Sequence, residues 1–194
     1  RDSAYRLVGS EMCIRDSLIS EHLKAMTQHQ QPPAHWLQHS DVVFTASQVD
    51  AALDDIMQRM QSKLPEEPIV MMCVMRGGLY LSAKLMAGLR HPLQLDYLQA
   101  NRYHGLSGSQ IDWSKHPETD LQGRIVLVVD DILDEGVTLA EVVHYCKQAG
   151  AKQVFTAVLT EKDNGLQKPL RADFVGLVVP DRYVFGCGMD VYGW

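Results

Sequence analysis

Between Val126 and Val143 the chain reads VLVVDDILDEGVTLAEVV, an apolar run that drives straight into Asp130 and Asp131 and then into a second acidic pair, Asp134 and Glu135. An uninterrupted apolar run of this kind belongs to a strand covered on both faces, as in parallel sheets sandwiched between helices. PIVMMCVM, LQLDYLQA, QVFTAVLT and DFVGLVV read as further strands. GGLYLSAKLMAGL and GVTLAEVVHYCKQAG, the latter closed by Gly150, read as the helices between them. The alternation predicts an α/β fold, a parallel sheet flanked by helices.

Upstream, TASQVDAALDDIMQRMQSKL predicts another helix. Thr45 and Gln48 form a capping-box pair, and Val49, Leu53, Ile56, Met57 and Met60 share one face. SLISEHLKAM reads as a short helix broken by Pro32 and Pro33. The opening RDSAYRLVGSEMCIRDS repeats its RDS triplet and shows no sustained period. It resembles translated adapter sequence, so residues 1–17 are set aside and residues 18–194 are taken as one domain. A domain of that length buries roughly 70% of its unfolded surface and needs no disulfide framework. The four cysteines form no CxxC pair and read as reduced thiols of a cytoplasmic protein. A net charge of -6 argues against a dedicated nucleic-acid binder, and no run is long enough to span a membrane.

Ligands of parallel α/β sheets bind beyond the carboxyl ends of the strands, where this chain places MRGG, NRYHGLSGSQIDWSKHPETD, DDILDEGVT and EKDNG. In the third of these, Gly136 permits a tight bend into a helix whose first N–H groups lack internal partners. Those groups, the helix dipole and the Thr138 hydroxyl suit a phosphate, while Asp130 and Asp131 suit sugar hydroxyls, directly or through hydrated Mg²⁺. The stretch therefore reads as a site for a phosphorylated sugar.

VVDDILDEGVT resembles the signature of the type I phosphoribosyltransferases, and the resemblance runs from Val42 to Trp194, closest to the hypoxanthine-guanine members. It implies that fold, with a small purine-binding hood, and purine salvage: hypoxanthine or guanine plus phosphoribosyl pyrophosphate giving IMP or GMP plus pyrophosphate. It also implies a homodimer or homotetramer. Phosphoribosyl pyrophosphate would be bound by Arg76, Gly77, Asp130, Asp131, Asp134, Glu135, Gly136, Val137 and Thr138. Asp134 would be the general acid or base. MRGG would be the pyrophosphate loop, with a cis peptide expected at Arg76-Gly77. The resemblance further implies that Lys162 donates to the purine O6, that Tyr183 stacks on the base, and that Val184 contacts it through the backbone. Asp190 would help hold a second metal, beside the Mg²⁺ at Asp130 and Asp131.

Two positions depart from the family pattern. Arg102 and Tyr103 stand where the family's flexible loop carries a Ser-Tyr pair. The chain also stops at DVYGW, before the family's pyrophosphate arginine, and is read as lacking its last few residues. Other chemistries find no footing. GxGxxG and GxxxxGK[ST] are absent, and His35 and His39 lack the HExxH context of a zinc site. A nucleotide-sensing regulator built on the same fold remains the competing class, and the acidic balance together with Asp134 favours the enzyme.

Overall fold

The computed structural model describes residues 12–15, 40–105 and 108–191. The expected helix at SLISEHLKAM and its proline break lie outside the described residues. The elements in chain order are β1 (Met12–Arg15), β2 (Asp41–Phe44), α1 (Ala46–Lys63), β3 (Ile69–Val74), α2 (Leu79–Gly88), β4 (Leu93–Gly105) and β5 (Gly108–Lys115). They continue with β6 (Ile125–Leu133), α3 (Val137–Gln148), β7 (Gln153–Asp163), β8 (Phe174–Pro180) and β9 (Tyr183–Phe185).

Six strands form the main sheet in the order β5-β4-β3-β6-β7-β8. Every pairing from β4 to β8 is parallel, and β5 adds an antiparallel edge. Period-2 alternation splits each central strand between two cores. Ile69, Met71, Leu127 and Val129 face α1 and α2, where Leu53, Ile56, Met60, Leu81 and Leu85 are buried. Val70, Met72, Val126 and Val128 face α3, which buries Leu139, Val142 and Cys146. Each such side chain contributes roughly 1.5 to 3 kcal/mol, so β3 and β6, buried on both faces, anchor the sheet. At the start of α1, Thr45 accepts from the Gln48 N–H at 3.4 Å while Gln48 Oε1 accepts from the Thr45 N–H at 2.9 Å, the capping box read in the sequence.

The structure corrects three readings. NRYHGLSGSQIDWSKHPETD is mostly not a loop, because residues from Gln99 to Gly105 pair in antiparallel register with Gly108 to Lys115, satisfying the edge backbone. Arg102 and Tyr103, expected in a flexible loop, therefore lie on β4 opposite Ile111 and Gln110, with side chains outside the described residues. Met12–Arg15, inside the segment set aside from the fold, forms the middle strand of a second sheet, β2-β1-β9, with Met12 buried. Backbone pairing on both sides, rather than any periodic signal, defines that strand. The cis peptide, expected at Arg76-Gly77, lies one bond earlier, at Met75-Arg76. The Met75 N–H still donates to Leu98 O at 2.8 Å, so the next peptide is the first to leave the sheet.

Candidate active site

β6 carries its apolar run to Val129 and continues as strand through Asp130, Asp131 and Leu133, which delivers the acidic pair at the carboxyl edge of the sheet. Gly136 then takes a left-handed conformation, φ 80°, and caps α3. A residue with a Cβ is strained there, which explains the glycine. Val137 and Thr138 open the helix, so their N–H groups face the same concavity as the carboxylates. In the turn after the neighbouring strand β3, the Gly77 backbone passes so close to Asp131 that any Cβ would overlap its carboxylate. A cavity of about 260 Å³ is bounded by Gly77, Ala100, Asp130, Asp131, Asp134 and Thr138, with Glu135, Gly136 and Val137 also lining it. Arg76 sits exposed on the adjoining turn.

The acidic pair is held under electrostatic tension. Burial, then the charge of Asp131, pushes the Asp130 carboxyl well above the usual carboxylate range. Burial raises Asp131 as well, with the charge of Asp190 contributing. The Asp131 N–H donates to Asp130 at 2.9 Å and the Ile132 N–H to Asp131 at 2.7 Å, backbone bonds that bring no cationic side chain to the pair. Adjacent buried carboxylates of this kind suit a hard cation or sugar hydroxyls. Among the described residues no three His, Cys, Asp or Glu side chains cluster closely enough to hold an ion by themselves. Mg²⁺ commonly takes one or two carboxylates and completes its shell with water and substrate oxygens, so the residues present fit that ion.

The other half of the site comes from the end of β7. Lys162 Nζ donates to Asp134 Oδ2 at 2.7 Å and lies 3.9 Å from Asp181. The Asn164 side-chain amide donates to Asp134 Oδ1 at 3.1 Å, and Lys168 donates to the backbone carbonyls of Leu133 at 3.2 Å and Lys162 at 2.6 Å. Neither Asn164 nor Lys168 stands out in the sequence, because both sit in an aperiodic connection between β7 and β8. Tyr183, on β9, is exposed and donates through its hydroxyl to the Asp190 carbonyl at 3.2 Å, while Val184 is buried. A larger cavity of about 410 Å³ lies along the β7–β8 connection, but it has neither the acidic pair nor a helix N-terminus.

A parallel sheet with an acidic strand end leading into a helix N-terminus, next to a glycine turn from the adjacent strand, defines an α/β protein with a site suited to a sugar phosphate. The family model of the phosphoribosyl transferase domain matches residues 42–192, and the chain belongs to that family. Within it the chain is similar to a hypoxanthine-guanine phosphoribosyltransferase of Aquifex aeolicus, 34% identical over 64% of this chain and 71% of that one. It is 32% identical to the Bacillus subtilis protein of the same name, over 60% of this chain and 66% of its relative's length. A solved hypoxanthine-guanine phosphoribosyltransferase from Bacillus anthracis superposes with a TM-score of 0.73 at 23% identity, covering 78% of this chain and 90% of that one, which shows the shared fold.

Proposed function

We propose that the protein is a purine salvage enzyme that transfers the phosphoribosyl group of phosphoribosyl pyrophosphate to hypoxanthine or guanine, releasing pyrophosphate. The observation that carries this reading is the 2.7 Å contact between Lys162 and Asp134 at the rim of the acidic cavity. It sets an ammonium donor and a carboxylate acceptor side by side, as the O6 and the ring nitrogens of a 6-oxopurine require. Adenine, with a donor at position 6, would face Lys162 with the wrong polarity.

In this reading the Gly77 turn and the α3 N-terminus hold the phosphates through backbone N–H groups and the Thr138 hydroxyl. Asp130 and Asp131 would hold Mg²⁺ and the ribose diol, with Asp190 at a second ion. The metal supplies neutralisation of the pyrophosphate charge when bound. A purine nitrogen attacks the anomeric carbon as pyrophosphate departs, and Asp134 exchanges the proton that the ring must lose or gain. Tyr183 covers the face of the base and Val184 meets its edge through the backbone. The described residues include no helix long and apolar enough to cross a membrane, and Cys73, Cys146 and Cys187 are buried free thiols. Thiols of this kind suit the cytoplasm. We further propose a homodimer or homotetramer.

The test is a panel of hypoxanthine, guanine, xanthine, adenine and uracil, each with phosphoribosyl pyrophosphate and Mg²⁺. Turnover of hypoxanthine or guanine with adenine inert is the expected result. Adenine turnover equal to that of hypoxanthine would overturn the proposal.

A further inference from the structure

We propose that Asn164 is a positioning residue for Asp134, holding its carboxylate in place when Lys162 leaves it for the purine; this rests on the function proposed above. Asn164 is half-buried at the mouth of the β7–β8 connection. Its side-chain oxygen accepts from the Leu166 N–H at 3.2 Å, which fixes the orientation of the amide. The NH₂ group is thereby turned to Asp134 and donates to Oδ1 at 3.1 Å and to the backbone carbonyl at 3.3 Å.

The two partners of Asp134 are not equivalent. Lys162 donates to Oδ2 and Asn164 to Oδ1. A lysine that donates to the purine O6 must give up at least part of its bond to Asp134, and that frees Oδ2. Asn164 makes no demand on the base, so its bond persists and leaves Oδ2 as the oxygen that faces the ring. The connection carrying Asn164 is itself tied down. Lys168, with 9% of its side chain exposed, bonds Glu161 at 2.9 Å as well as the carbonyls of Leu133 and Lys162. Leu133 immediately precedes Asp134, so one lysine braces the strand ends that present both purine-facing groups. A carboxylate free to rotate would spend most of its time away from the reacting nitrogen, and small misplacements of a catalytic group cost rate steeply.

The experiment compares wild type, Asn164→Ala, Asp134→Asn and the double variant, with hypoxanthine as acceptor, measuring kcat, the KM for phosphoribosyl pyrophosphate, and thermal melts. Asn164→Ala should lower kcat roughly 10- to 100-fold, the rate equivalent of one hydrogen bond to a charged group, with KM changed less than about twofold. In the Asp134→Asn background the same substitution should cost less than about threefold, because a residue acting through Asp134 has little left to act on. An equal loss in both backgrounds, or no loss in either, overturns the proposal. If Asn164→Ala does not fold, Asn164→Ser takes its place: its hydroxyl can still donate, and its loss should be smaller in wild type and absent beside Asp134→Asn. Failure of the underlying reading shows itself separately. Wild type would leave 6-oxopurines untouched, or Asp134→Asn alone would keep full rate, and either result removes this proposal too.

Discussion

Lys162 Nζ stands 2.7 Å from Asp134 Oδ2, so the group expected to recognise the base and the group expected to exchange its proton are bonded to each other. A base that binds must insert its own polar atoms into this pair. A base of the wrong polarity leaves the half-buried Lys162 unmet, and sites built to hydrogen-bond a substrate group discriminate on the order of 10⁴. Lys162→Met should therefore reduce kcat/KM for hypoxanthine while narrowing its advantage over adenine, as competition assays with both bases would show. Retention of the full discrimination would remove Lys162 from base recognition.

Asp134→Asn preserves size and polarity but cannot exchange a proton near neutral pH. General acid-base assistance contributes roughly 10² to 10⁴-fold, so kcat should fall within that range while affinity for phosphoribosyl pyrophosphate changes little. Steady-state kinetics beside thermal melts check this outcome. A destabilised variant with normal turnover of its folded fraction would make Asp134 a helix-end stabiliser instead.

Thr138→Ala removes a hydroxyl donor at the first turn of α3 without touching either core. Binding of phosphoribosyl pyrophosphate, measured by calorimetry, should weaken by about 1.5 to 3 kcal/mol, as for a hydrogen bond to a charged group. Unchanged affinity would place the phosphate elsewhere.

Asp130→Asn should stabilise the ligand-free protein while abolishing its response to substrate. The folded-state pKa of Asp130 is raised, so the stability linked to it is fully present below the unfolded-state value and lost as pH rises through the folded value. Asparagine carries no such penalty. The advantage of the variant should thus be nearly nil at about pH 4 and grow toward neutrality, read as a Tm difference that widens as pH rises. Mg²⁺ with phosphoribosyl pyrophosphate should raise the Tm of wild type but not of Asp130→Asn. A variant less stable than wild type at pH 7 would mean that the carboxylate is compensated in the free protein.

The parts of the fold that were legible in the sequence are those where one physical pattern dominates. Ile69–Val74 and residues 125–129 are buried on both faces and read as unbroken apolar runs, and the Thr45–Gln48 box announces α1. The edge strand β5 was missed because GSQIDWSK mixes polar and apolar residues, and its hairpin closes Gly105 against Gly108 without an Asn-Gly or Asp-Gly signal. In the candidate site, the 130–138 segment is contiguous, so its gathering around one cavity could be read directly. Asn164 and Lys168 act through bonds to backbone carbonyls and to a side chain brought close only by adjacent strands, and no spacing in the chain encodes that.

The strand order also separates two kinds of inheritance. Gly77 and the 130–138 segment hang from β3 and β6, which pair at the centre of the sheet, whereas Lys162, Asn164, Tyr183 and Val184 all come from the end of β7 and beyond. Under the function proposed above, changes after Thr160 would bear mainly on the base, with Asp134 reaching over from the 130–138 segment to meet Lys162 at 2.7 Å. On that reading, the choice of base would rest largely on the C-terminal part of the chain and the ribose donor on the centre of the sheet, joined through the Lys162–Asp134 bond.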